Sequence, residues 1–189
     1  MVAFTSVRER RLWLWALTVT AAIYATLGQV PAIASALRDR NLIDNTFFGA
    51  FLVIAAALVV VGLATRPGWR ELTVAIAALA TYVMAFLRFT NPAERTHLIE
   101  FGVVAVFVYL ALRERRANGT RVRTPTLMAV LVAGTLGVID EGIQAILPNR
   151  FFDPLDIAFN LGAAVMAVLA VAALQWARSR RHSDTVGRP

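Results

Sequence analysis

The chain contains six long apolar segments, at residues 12–30, 46–65, 71–88, 92–113, 125–147 and 154–177. Each is close to the ~20 residues that a helix needs to cross a bilayer. Short polar connections separate the segments, so the sequence predicts an all-α, polytopic bundle of six transmembrane helices. We expect residues 1–177 to form a single transmembrane domain and residues 178–189 to form a basic, disordered tail.

The composition agrees with a membrane protein and excludes several other classes. Of 189 residues, 58% are hydrophobic and the mean hydropathy is +0.64, which is too apolar for a soluble domain of this size. There is no cysteine, so the sequence has no disulfide framework, thiolate nucleophile or redox motif. The 19 basic residues counted as Lys or Arg are all arginines, and they flank the spans. This placement indicates anionic lipid headgroups, rather than nucleic acid, as the partner.

The positions of the arginines predict the orientation in the membrane. Of the 19 arginines, 14 lie before the first span, in the second and fourth connections, or after the last span. Because arginine is enriched on the cytoplasmic side, both termini are expected to be cytoplasmic. The tryptophans fall at that same interface; they are Trp13, Trp15, Trp69 and Trp176. We therefore expect a multi-pass protein of the cell membrane whose first span is an uncleaved anchor.

The last three apolar segments carry polar side chains that lipid would normally reject; they are His97, Glu100, Asp140, Glu141, Gln144, Asp156 and Asn160. At ~1.5 Å rise per residue, Glu100 lies roughly 12 Å inside its helix, and Asn160 roughly 9 Å inside its own. Asp140 lies roughly 11 Å before the predicted end of the middle helix. If the three helices are antiparallel neighbours, these groups lie at the same depth in the membrane. With both termini cytoplasmic, this layer faces the extracytoplasmic side. An ionisable group at the centre of a span costs about 2.5–3.5 kcal/mol, so such a layer indicates a functional site.

Proline-containing sequences predict where these three helices begin; they are Asn91-Pro92-Ala93-Glu94, Thr124-Pro125 and Asp153-Pro154-Leu155-Asp156. Pro148 is expected to end the middle helix after Leu147, and the last helix is expected to continue to about Trp176. The acidic residues of the first and third start signals can act as helix caps without any further function. The acidic residues inside the helices have no such role, which favours function for them.

Two stretches resemble the VanZ-like family of bacterial integral membrane proteins. The first is Glu94-Arg95-Thr96-His97-Leu98-Ile99-Glu100-Phe101-Gly102. The second runs from Asp140-Glu141-Gly142-Ile143-Gln144 through Pro148-Asn149-Arg150 to Asp153, Asp156 and Asn160-Leu161-Gly162. The resemblance covers about residues 82–172, and the family often has tyrosine where this chain has Phe101. The resemblance implies a function in the cell envelope, on the extracytoplasmic side of the membrane. The founding member of the family is associated with low-level resistance to the glycopeptide teicoplanin.

The first functional hypothesis is an intramembrane enzyme that acts on an amphiphile, such as a lipid-linked envelope precursor. The predicted catalytic residues are His97, Glu100, Asp140, Glu141 and Gln144. The imidazole would exchange protons near neutral pH, Glu100 would orient it, and Asp140 or Glu141 would act as acid or base. The predicted substrate-binding residues are Arg88, Arg95, Arg150, Asp156 and Asn160. Among them, Arg95 and Arg150 would hold an anionic headgroup.

Four alternatives remain open from the sequence. A divalent cation is one of them, because carboxylate oxygens suit Mg²⁺ or Ca²⁺ better than zinc; the candidate ligands are Glu100, Asp140, Glu141 and Asp156. The second is a non-catalytic binding module for an envelope lipid or a lipoglycopeptide. The third is a transporter, which the sequence favours less because it shows no internal repeat. The fourth is a polar network that only stabilises the bundle.

Overall fold

The structure is a computed structural model that describes residues 4–42, 45–46, 48–50, 52–53, 56, 66–88, 92–148 and 150–186, without the side chains of residues 30, 92–94 and 181–186. Its helices are α1 (Val7–Thr26), α2 (Val30–Asp39), α3 (Trp69–Arg88), α4 (Pro92–Ala117), α5 (Pro125–Gln144) and α6 (Pro154–Val186). The described residues contain no strand, which confirms the all-α prediction. The predicted second span, at 46–65, lies largely outside the described residues.

Four stretches of helix are long and apolar enough to cross a membrane; they are Trp69–Arg88, Arg95–Ala117, Pro125–Gln144 and Pro154–Arg180. A fifth possibility is the pair formed by α1 and α2. Together these two helices are long and apolar enough for one broken span or for a re-entrant loop. By length and composition, the described part of the chain therefore has four candidate membrane spans, or five with the α1–α2 pair, as expected for a multi-pass membrane protein, while the number six stays a prediction.

The chain divides into two compact units. The first unit contains Met1–Ala32 and Thr96–Leu169, and the second contains Ile33–Arg95 and Ala170–Pro189. The first unit therefore includes α1, most of α4, all of α5 and the first half of α6. The seven polar residues that the sequence analysis places together in the last three spans, from His97 to Asn160, all belong to this unit.

Small side chains allow close packing between α5 and α6 in the first unit. Ala129, Ala133 and Gly137 recur every four residues on α5 and are buried. A Cβ atom added to Gly134 would lie 3.1 Å from Leu161 Cδ1 on α6. Interfaces between membrane helices are enriched in such small residues because they let the backbones approach. This interface positions the polar residues of the two helices.

A buried carboxylate connects the start of α1 to the end of α4. Glu9 is fully buried, and its Oε1 lies 2.9 Å from Arg115 Nε. Its Oε2 accepts hydrogen bonds of 2.7 Å from the backbone N–H and the hydroxyl of Thr5. Ser6 caps α1 by accepting from the Glu9 N–H and donates to Glu114 Oε1, at 3.0 Å in each case. Because breaking a buried ion pair is costly, these contacts hold the two helix ends together.

A second buried carboxylate has the same role in the second unit. Glu71, in the first turn of α3, accepts a hydrogen bond of 2.6 Å from the backbone N–H of Gly68. Its other oxygen lies 3.3 Å from Arg178 Nε on α6. The start of α3 is therefore tied to the last part of α6 by an ion pair.

The helix starts that the proline signals predict are confirmed, since α4, α5 and α6 begin at Pro92, Pro125 and Pro154. The last helix extends past the predicted end at Trp176 to Val186. It therefore includes most of the predicted tail. Arginine is a good helix former, so the basic residues beyond the apolar segment do not interrupt the helix.

The end of α5 lies earlier than the sequence predicts. The helix ends at Gln144 rather than near Leu147. Beyond it, the N–H groups of Ile146 and Leu147 bond to the carbonyls of Ile143 and Gln144, three residues back. Such bonds tighten the chain out of α geometry at a helix end. Asp140 is therefore about 6 Å from the end of its helix, nearer to the following loop than expected.

Candidate functional site

Two carboxylates on α5 share one amide donor. Gln144 Nε2 donates to Asp140 Oδ2 at 2.8 Å and to Glu141 Oε1 at 2.9 Å. Gln144 is four residues after Asp140 and three residues after Glu141, so all three side chains lie at the same end of α5. Asp140 and Glu141 are fully buried, and Gln144 is nearly so. Gln144 therefore fixes one oxygen of each carboxylate.

The connection between α5 and α6 positions the other oxygen of Glu141. The backbone N–H of Asp153 donates to Glu141 Oε2 at 3.0 Å. Asp153 Oδ1 accepts from the N–H of Leu155 at 2.8 Å, so this residue has the capping role that the sequence predicts. Glu141 is thus held both by its own helix and by the start of the next one.

His97 on α4 pairs with a carboxylate from α6. Its Nε2 lies 3.6 Å from Asp156 Oδ2, and its side chain is 5% exposed. Glu100 and Asp140 are also close enough to the imidazole to interact with it electrostatically. The ring stacks on Phe101 with a centroid distance of 6.1 Å. Asp156, and not Glu100 alone, is therefore in a position to orient the imidazole.

Several buried polar atoms in this cluster have no hydrogen-bond partner among the described residues. They are His97 Nδ1, Asp140 Oδ1, Arg150 Nε and both side-chain polar atoms of Asn160. A buried polar group without a partner costs about 1–3 kcal/mol. Because four neighbouring residues show this property, we expect the cluster to bind polar atoms from water, an ion or a ligand.

Within the first unit, the acidic side chains of the cluster outnumber the basic groups that interact with them. Its acidic members are Glu100, Asp140, Glu141 and Asp156. The basic groups of the first unit with which they interact electrostatically are His97 and Arg150. Four ionised carboxylates would outnumber these two groups even if the imidazole were protonated. Like charges removed from water are costly, so a stable cluster needs bound protons or a cation.

Asn160 reaches the cluster because Gly137 has no side chain. Asn160 is fully buried on α6. A Cβ atom at Gly137 would lie 2.8 Å from Asn160 Cβ and 3.0 Å from its Nδ2. Gly137 is one turn before Asp140 and Glu141, so α5 and α6 approach each other closely beside the carboxylates. Gly137 is a residue of the site that the sequence reading did not identify.

The first unit contains eight of the ten predicted site residues; they are His97, Glu100, Asp140, Glu141, Gln144, Arg150, Asp156 and Asn160. The other two, Arg88 and Arg95, belong to the second unit. Arg88 is exposed at the end of α3, and the Arg95 guanidinium lies 5.0 Å from the centre of the Phe86 ring. The side chain of Glu94, a possible cap, lies outside the described residues.

Tyr24 of α1 also lies beside the cluster and was not identified from the sequence. Its hydroxyl donates to the backbone carbonyl of Leu136 at 2.7 Å, one turn before Asp140. It is close enough to Asp140 for the two groups to interact electrostatically. A tyrosine in an apolar span is a visible signal, but nothing in the sequence pairs the first span with the fifth apolar segment.

Comparison with models of protein families, with curated proteins and with solved structures finds no match to this chain. The VanZ-like resemblance remains an inference from the two motifs that carry it.

Proposed function

We propose that this chain is a VanZ-like, multi-pass protein of the bacterial cell membrane that acts on an amphiphilic, lipid-linked envelope substrate by acid/base chemistry. One observation carries the proposal: side chains from α4, α5 and α6 meet in a buried cluster whose polar atoms are partly without partners among the described residues. A network that only stabilises a bundle normally satisfies its own members, because orphaned polar groups are costly. The cluster therefore favours ligand binding over a purely structural role.

Asp140 and His97 provide the atoms that can exchange a proton with a substrate. Gln144 holds Asp140 Oδ2, which leaves Oδ1 to accept a proton from a hydroxyl group or from water. His97 offers Nδ1 in the same way, with Nε2 at ion-pair distance from Asp156. A base that is oriented by a further group is typical of catalytic sites. Arg150 adds positive charge for an anionic headgroup.

The cluster is proposed to face the extracytoplasmic side, with both termini in the cytoplasm. The arginine distribution supports this orientation. The connection on one side of α5 contains Asn118, and the connection on its other side contains Phe152, and both residues are exposed. They therefore offer two labelling positions on opposite sides of the same span.

Single-cysteine labelling checks the orientation, since the natural chain has no cysteine to interfere. In intact cells, a membrane-impermeant maleimide is expected to label Phe152→Cys and to leave Asn118→Cys unlabelled. Asn118→Cys should react only after the cells are opened. Labelling of Asn118→Cys in intact cells, with Phe152→Cys protected, would place the cluster on the cytoplasmic side.

Conversion of an envelope lipid tests the proposed activity. The full chain would be reconstituted into vesicles made from a bacterial membrane lipid extract, and the lipids followed by mass spectrometry. We expect one lipid species to be consumed and a product to appear, with no change in protein-free vesicles. A lipid that is retained by the protein but never converted would contradict catalysis and support the alternative, a non-catalytic binding module.

A further inference from the structure

We infer that His97, Glu141 and Asp156 form a binding site for one divalent first-row transition-metal ion, of the Zn²⁺ or Mn²⁺ type. The inference rests on the proposed function only in that it assigns a cofactor to the same cluster. Each of the three residues offers one ligand atom, and these atoms all lie within 4.8 Å of one another. They come from three different helices, α4, α5 and α6, which the packing of the first unit brings together.

The separations between these atoms are close to those that one ion requires. Nitrogen and oxygen ligands bind a transition metal at about 2.0–2.2 Å, which places two ligands of the same ion about 3–4 Å apart. His97 Nε2 and Asp156 Oδ2 are 3.6 Å apart. A movement of under about 1 Å in the remaining pairs completes the set, which is within the range of a side-chain adjustment.

Charge is the second, independent argument for a cation. A transition ion would bring two positive charges to a buried cluster whose four carboxylates outnumber its basic groups in the first unit. Within that cluster, the buried atoms His97 Nδ1 and Asp140 Oδ1 have no hydrogen-bond partner among the described residues, as expected for a site that receives polar atoms from a ligand or from water. A neutral imidazole can bind a metal ion through either ring nitrogen, with the proton on the other.

The donor set decides which class of ion fits. Imidazole nitrogen suits zinc and other transition ions, whereas Mg²⁺ and Ca²⁺ prefer a shell of oxygens. The alternative that the sequence left open was an all-oxygen set of Glu100, Asp140, Glu141 and Asp156, which would suit Mg²⁺ or Ca²⁺. The structure groups His97 with two of those carboxylates, which shifts the preference to a transition ion.

The surroundings of Glu141 are those of a metal ligand. Gln144 donates to one carboxylate oxygen, and the backbone N–H of Asp153 donates to the other. Such outer hydrogen bonds fix the orientation of ligating side chains. Three protein ligands leave a coordination position open for water or a substrate oxygen, as in catalytic zinc sites. With His97 bound to the ion, Asp140 Oδ1 remains to accept a proton.

Metal binding by the purified full chain tests the inference. The protein would be purified in lipid nanodiscs with a histidine-free tag and with His182→Gln, so that the tail histidine cannot bind metal, and then stripped with a chelator. Competition against a chromogenic chelator is expected to show one Zn²⁺ or Mn²⁺ per chain. We expect these ions to bind at least ~100-fold more tightly than Mg²⁺ or Ca²⁺.

Conservative variants test each of the three proposed ligands by its effect on metal affinity. His97→Gln, Glu141→Gln and Asp156→Asn are each expected to weaken metal binding by at least ~10-fold. Asp39→Asn is the matched control: it removes an exposed carboxylate at the end of α2, outside the cluster, and the metal affinity should change by less than ~3-fold. Affinity like that of the unsubstituted chain in all three ligand variants would overturn the inference, as would tighter binding of Mg²⁺.

A spectroscopic measurement on the unsubstituted cluster guards against variants that fail to fold. Mn²⁺ bound at this site is expected to show magnetic coupling to a histidine nitrogen, and this coupling should be lost in His97→Gln. Absence of nitrogen coupling in the unsubstituted protein would overturn the inference. The metal site and the enzymatic activity can fail separately. If the metal-stripped chain still converts lipid, the metal is not a cofactor of the reaction, but the proposed activity stands. If the chain binds metal and converts no lipid, the metal site stands and the proposed activity fails.

Discussion

Asp140→Asn is expected to lower the rate of lipid conversion by at least ~100-fold while leaving the protein folded, since general acid/base groups contribute about 10²–10⁴-fold. Asparagine has the shape of aspartate, and its oxygen can accept the same hydrogen bond from Gln144. It cannot take up a proton, however, so the function of Asp140 Oδ1 is lost. The rate of lipid consumption in the reconstituted vesicles measures the effect.

Two measurements show whether the loss in Asp140→Asn is chemical. Removing a carboxylate from a cluster with excess negative charge should not destabilise it, so the amount of folded protein in the membrane should stay within about twofold of the unsubstituted chain. Asp39→Asn is the matched control, because Asp39 is an exposed carboxylate at the end of α2. It should leave conversion unchanged. Full conversion by Asp140→Asn would exclude proton transfer at this residue.

Which groups pair within the cluster could be anticipated only in part from the sequence. Helical periodicity places His97 and Glu100 on one side of the same helix, which made Glu100 the expected partner. The ion pair at 3.6 Å from His97 comes from Asp156 on α6, and Glu100 interacts electrostatically with the same imidazole. Periodicity gives angles within one helix but not the rotation of one helix against another, and so it cannot select a partner across an interface.

The helix boundaries were likewise predicted correctly only where the sequence signal is local. Proline signals gave the correct starts at Pro92, Pro125 and Pro154, because proline restricts the backbone locally. The end of α5 at Gln144 was missed, since the tighter turn beyond it coincides with contacts to the next connection. Arg88 was predicted to bind substrate with the cluster, but it belongs to the second compact unit, and its position in the sequence does not indicate this.

Gly137→Ala is expected to destabilise the protein by about 2 kcal/mol, within the ~1–3 kcal/mol range for overpacked interiors. The new Cβ atom would lie 2.8 Å from Asn160 Cβ, a contact that real structures do not tolerate. Asn160 Cβ is next to the backbone and cannot swing away like the tip of a long side chain. The two helices must therefore separate, and both packing and the position of Asn160 change. Unfolding in mixed micelles with increasing SDS measures the loss.

Gly142→Ala is a matched control on the same helix. Its Cβ atom would meet nothing within 4 Å among the described atoms, and the residue is exposed. Replacing glycine with alanine inside a helix favours the helix by about 1 kcal/mol. Gly142→Ala should therefore be neutral or stabilising, whereas Gly137→Ala has the same gain in helix propensity and still loses stability. Equal stability of the two variants would mean that α5 and α6 do not pack closely at Asn160, and the cluster would then lose the contact that brings Asn160 beside the carboxylates.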